Sequence, residues 1–133
     1  MSEKSRLQDL GLFSKKGLAF EKIELTKSKI TSDKTATIKV NIKNFKETFT
    51  NIVLKTKSDD KSNEYLIIST PSLNLPALDF PNRNTGDHEI TITPQSIPVN
   101  KMSFKITVVV YANNEEKPML KKELDLTVNK KQK

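Results

Sequence analysis

Thr35-Ala36-Thr37-Ile38-Lys39-Val40-Asn41-Ile42-Lys43-Asn44 is the stretch that decides the fold class of this chain. Ala36, Ile38, Val40 and Ile42 alternate with Thr37, Lys39, Asn41 and Lys43. An extended backbone sends successive side chains to opposite faces, so the apolar groups gather on one side and the polar groups on the other. A helix would scatter the same residues around its axis. The stretch is therefore predicted to be a half-buried β-strand.

The same period returns outward from it in both directions. In Ser103–Tyr111, Phe104, Ile106, Val108 and Val110 form one row, and Lys105, Thr107, Val109 and Tyr111 the other. Leu120, Leu124, Leu126 and Val128 line one face of Met119–Val128, with Lys122 as the exception in that row. Phe20–Thr26 offers Ile23 and Leu25 inward, Phe49–Lys57 offers Ile52 and Leu54, and His88–Thr93 offers Ile90 and Ile92. Glu64–Ser69 is an apolar run around Tyr65, Leu66, Ile67 and Ile68. Seven such strands, separated by polar or proline-bearing spacers, predict an all-β fold, an immunoglobulin-like two-sheet antiparallel β-sandwich.

The chain of 133 residues suits one domain, long enough to bury a core without a metal or disulfide. The expected boundaries are an N-terminal extension over residues 1–18, the sandwich over 19–128 and a basic, disordered tail over 129–133. In the extension Ser5 can cap a short helix that holds Leu7 and Leu10 and stops at Gly11. With Leu12 and Phe13 these form an apolar cluster, which either packs on the sandwich or anchors another chain. Pro71, Pro76 and Pro81 keep the segment around them out of a central ladder, because proline has no N–H to donate. Leu73, Leu75, Leu78 and Phe80 there are expected to plug one end of the sandwich; the sharper reading is an exposed loop that docks a partner.

Composition narrows the function. There is no cysteine, which removes thiolate nucleophiles and cysteine metal sites and points to a reducing, cytoplasmic setting. No run approaches the ~20 apolar residues that a membrane-spanning helix needs. His88 is the only histidine and sits in Gly86-Asp87-His88-Glu89, so it reads as a turn residue, with no nucleophile or zinc ligand set beside it. Asp59-Asp60 and Glu115-Glu116 are isolated acidic pairs in loops, each followed by lysine, and read as turn residues. Gly11, Gly17 and Gly86 stand apart, so no phosphate-cradling loop is present. No catalytic, cofactor or metal site is expected.

The net charge is +7 and is uneven, since residues 62–100 carry 1 basic and 4 acidic groups while the flanking segments are basic. Arg6 and Arg83 are the only arginines. Lysine is a hydrated point charge without the bidentate fork that specific base readout favours. In an immunoglobulin-like order the third, sixth and seventh predicted strands share a sheet. Its outward residues would be Val53, Lys55 and Lys57, then Lys105, Thr107, Val109 and Tyr111, then Lys121, Glu123, Asp125 and Thr127. An apolar strip of Val53, Val109 and Tyr111 rimmed by Lys55, Lys57, Lys105 and Lys121 is the candidate partner-binding surface. The competing expectation is that the N-terminal cluster folds over it.

The stretch Ala36–Asn44 followed by Phe49-Thr50-Asn51-Ile52-Val53-Leu54 resembles the opening of CARDB-type immunoglobulin-like domains, in which a strand ending in Asn leads through a short polar turn to an alternating strand. Gly86 ahead of Glu89-Ile90-Thr91-Ile92 resembles their glycine-led strand entry. The resemblance covers roughly residues 20–128 and implies an adhesion or scaffold module without catalysis, often appended to extracellular proteins. It carries over no functional residue. The expected function is a non-enzymatic module that binds a protein through the lysine-rimmed face or the free strand edges. The alternative is non-specific nucleic-acid binding by Lys55, Lys57, Lys105 and Lys121 with Lys130, Lys131 and Lys133.

Overall fold

The computed structural model describes residues 17–45, 48–59, 65–79, 83–95 and 97–131. Its strands are β1 (Leu18–Leu25), β2 (Lys29–Thr31), β3 (Ala36–Asn44), β4 (Ile52–Ser58), β5 (Leu66–Ile68), β6 (Ser72–Leu75), β7 (His88–Pro94), β8 (Lys101–Tyr111) and β9 (Leu120–Asn129). They form a four-stranded sheet in the order β1-β3-β7-β5 and a five-stranded sheet in the order β2-β9-β8-β4-β6. The chain is an immunoglobulin-like sandwich, with the predicted third, sixth and seventh strands (β4, β8 and β9) together in the larger sheet.

The inward rows are the apolar rows of the sequence. β3 alternates fully buried with half-buried residues along its whole length, and Ile38, Ile42, Leu54, Ile90, Ile92, Ile106, Val108 and Val110 are all 0% exposed. Full burial of each such side chain contributes about 1.5–3 kcal/mol, which makes this double row the main source of stability.

Two strands lie outside the sequence-based expectation. β2 carries a single apolar residue, Ile30, and pairs in parallel with the C-terminal end of β9, Lys29 opposite Thr127 and Thr31 opposite Asn129. β6 lies in the proline-bearing segment and pairs with β4 as a sheet edge, where Pro71 still serves as an acceptor: its C=O takes the Thr56 N–H at 2.9 Å. The plug expectation holds for Leu75 and Leu78, at 7% and 2% exposure; Leu73 is half-buried, and Phe80 and Pro81 lie outside the described residues.

Other expectations are corrected in detail. Phe49 does not open β4; it is fully buried in an isolated bridge to Leu78, and Asn51, at φ 50°, turns the chain before β4 begins. Ile23, Leu25 and Leu124 are half-buried, because their strands lie along the open side of the sandwich. Leu18, assigned to the extension, is fully buried and opens β1. Asn129, assigned to a disordered tail, closes β9; beyond it the Lys130 N–H donates to the Asn100 C=O at 2.7 Å and the Lys131 N–H to Ser32 Oγ at 3.0 Å. The expected helix near Ser5 and the cluster of Leu7, Leu10, Leu12 and Phe13 lie outside the described residues.

Candidate interaction face

Antiparallel register brings the predicted residues together on the outward side of the larger sheet. Val53 stands opposite Tyr111, and Lys55 opposite Val109, which in turn stands opposite Lys121. The next rows are Lys57, Thr107 and Glu123, then Lys105 and Asp125. Val53 is thus the direct cross-strand neighbour of Tyr111 and the diagonal neighbour of Val109, which stands two residues before Tyr111 on the same face of β8. All three are half-buried.

The lysines are not equivalent. Glu123 accepts both Lys105, at 3.7 Å, and Lys121, at 3.8 Å. These groups are about half exposed, so each pair adds at most roughly 1 kcal/mol, but their charges are locally offset. Lys55 instead lays its ammonium over the Tyr111 ring, 5.4 Å from the centroid. Lys55 and Lys57 have no carboxylate at ion-pair distance among the described residues. The positive charge of the face is therefore concentrated beside its apolar strip.

At the Tyr111 end the face dips into a depression of about 360 Å³ lined by Asn51, Val53, Lys55, Tyr111, Asn114, Glu115 and Glu116. Its rim is built by a tight turn. Asn113 and Asn114 both take positive φ, 57° and 60°, and the Glu115 N–H donates to the Ala112 C=O at 3.1 Å, the pattern of a type I′ turn. Asn113 fixes this turn to the segment just before β4: its side-chain Oδ1 accepts the Thr50 N–H at 2.9 Å, and its backbone N–H donates to the Thr50 C=O at 2.7 Å. Asparagine tolerates the left-handed region better than other side chains, which is why this corner is rich in it. This turn is not among the sequence-based expectations; the adjacent Asn113-Asn114 pair is the signal that could have found it, whereas its placement against Thr50 leaves no local mark.

Of the remaining sequence candidates, Asp59 and the Glu115-Glu116 pair lie in loops as expected, whereas His88 is not a turn residue: it opens β7 opposite Val40. His88 Nε2 donates to the Thr85 C=O at 3.1 Å. Asp59 Oδ1 accepts the Lys105 N–H at 3.1 Å, while Asp60 lies outside the described residues. No three His, Asp or Glu side chains among the described residues are grouped to hold a metal ion. No helix among them is long and apolar enough to cross a membrane.

No protein-family model matches the chain, and no curated protein matches its sequence. Solved structures match at the level of fold. Escherichia coli alpha-2-macroglobulin in its native conformation aligns with a TM-score of 0.59 at 14% identity, over 82% of this chain and 6% of that one. The periplasmic chaperone SfaE aligns with a TM-score of 0.53 at 8% identity, over 84% of this chain and 58% of that one. The chain thus spans a small part of the first and little more than half of the second. A CARDB domain from Pyrococcus furiosus, solved in complex with di-metal ions, aligns with a TM-score of 0.50 at 14% identity, over 85% of this chain and 94% of that domain. The resemblance to CARDB-type domains holds for the fold.

Proposed function

We propose that this domain is a non-enzymatic interaction module that binds a protein partner through the outward face of the larger sheet. The observation that carries this reading is the contiguous strip of Val53, Tyr111 and Val109 beside two lysines, Lys55 and Lys57, without carboxylate partners among the described residues. An apolar centre with a charged rim is the anatomy of a protein-binding patch. Lys39 and Lys43 face outward from the opposite sheet, so the basic charge does not form the single track that a phosphate backbone would follow. Fold-level likeness to a chaperone and to a CARDB domain is compatible with such a module, and it names no partner.

The test replaces Tyr111 and Val109 together by Ser. Both side chains lie on the outward row, so the circular dichroism spectrum stays that of the parent while capture of a partner from native extract drops. A partner captured equally by the variant would remove this face from consideration.

A further inference from the structure

The strand edges of the molecule are closed in different ways. β2 and β5 span 3 residues each and β6 spans 4, and β1 is interrupted by a register shift between Phe20 and Lys22. Short or bulged edges pair poorly with an added strand. β9 is different. It runs for 10 residues, and β2 covers its outer edge only from Thr127 to Asn129.

Backbone accounting shows what the rest of that edge offers. Thr127 donates its N–H to the Ser28 C=O, and the Asn129 C=O accepts the Ser32 N–H, so the odd-numbered residues of β9 turn their backbone groups away from β8. By the same alternation Lys121, Glu123 and Asp125 aim their N–H and C=O groups outward. No backbone partner meets them among the described residues. The core beneath this half-strand is also incompletely covered. Lys122 and Leu124 are half-buried, whereas Val108 and Ile106, opposite them on β8, are 0% exposed.

Lys122 gives this edge its selectivity. It stands in the core-facing row between Leu120 and Leu124, with no carboxylate at ion-pair distance among the described residues. An inward lysine blocks indiscriminate edge pairing, because an incoming apolar strand would bury an unpaired ammonium. A strand that carries a carboxylate opposite it would neutralise that charge and complete the row. A second copy of this chain does not meet the requirement. Antiparallel β9 pairing centred on Glu123 sets Lys122 against the copy's Leu124, and pairing centred on Lys122 sets it against itself.

We propose that the Lys121–Asp125 edge of β9 is a docking site for an extended segment of a partner protein, added as a strand in line with β2, whose core-facing row places a carboxylate opposite Lys122 between apolar side chains. Main-chain hydrogen bonds supply affinity in this mode and the alternate side chains supply selectivity. The site uses the sheet edge and not the Tyr111 face, so either can fail without the other.

The test titrates the whole chain against two dye-labelled peptides that alternate outward threonines with an inward row of Val-Glu-Val or Val-Lys-Val, read by fluorescence anisotropy and by amide shifts of Lys121, Glu123 and Asp125. The glutamate peptide is expected to bind roughly 30-fold tighter or more. Lys122→Glu is expected to reverse the preference, and Lys122→Gln, the milder change should the first not fold, to shrink it. Absence of binding by both peptides, equal binding, shifts confined to another surface, or a preference untouched by the Lys122 variants would each overturn the proposal.

Discussion

Replacing Asn44 by Ala should cost this fold more than the loss of one surface amide would. Asn44 ends β3 at 0% exposure, the largest burial of any polar side chain in the described core. Its Oδ1 accepts the Arg83 N–H at 2.8 Å, and its Nδ2 donates to the Leu78 C=O at 3.5 Å. These bonds tie β3 to the chain that returns from the plug at Leu78. The Leu78 C=O keeps a second donor, the Phe49 N–H at 2.9 Å, so losing the longer amide bond adds little. The Arg83 N–H loses a short, part-buried acceptor, worth about 1–3 kcal/mol once water cannot replace it. With the small void left by the amide, the expected loss is about 2 kcal/mol, or a drop in Tm of roughly 6–10 °C for a domain of this size. Urea denaturation followed by circular dichroism measures the first number, provided the m-value is unchanged. Hydrogen exchange at the Arg83 amide locates the effect. A loss under about 0.5 kcal/mol, with Arg83 protected as before, would refute the view that Asn44 holds the plug in place.

Thr56 and Asp33 supply two further checks. Thr56 is 3% exposed, and its Oγ1 has no hydrogen-bond partner among the described residues, so Thr56→Val should be neutral or stabilise by up to about 1 kcal/mol in the same denaturation assay. The Thr31 hydroxyl, and then Lys131 at 3.3 Å, hold the Asp33 carboxyl below its ordinary pKa of 3.8. A depressed carboxylate contributes stability above its unfolded pKa and loses it as pH falls through the folded value, so Asp33 stabilises at neutral pH and the pH dependence it adds is confined to pH below about 5. A carboxyl-detected NMR titration should find its midpoint under 3.8, moving up in Thr31→Val; an unchanged midpoint would remove the Thr31 hydroxyl as the cause.

The candidate face was legible in the sequence because every residue in it follows from one local rule. Val53, Lys55 and Lys57 share a side of β4 whatever β4 pairs with, and the same holds for Lys105, Val109 and Tyr111 on β8. The offset of Lys105 and Lys121 by Glu123, and the seating of Lys55 on Tyr111, were not legible, since both depend on cross-strand register. The depression escaped for the same reason: its rim brings Asn51 and Thr50 against the Asn113–Asn114 turn, far along the chain.

The sequence by itself determined that the chain is built of strands and which side chains share a face, because the twofold alternation is set by backbone geometry within one strand. Only the tertiary structure decided which strands lie at the edges and what those edges leave open. The pairing of Lys29–Thr31 with Thr127–Asn129 joins opposite ends of the chain, and it alone divides β9 into a covered half and an open one. No periodicity records such a pairing, because its two partners lie about 100 residues apart and closing that loop leaves no local pattern in either segment.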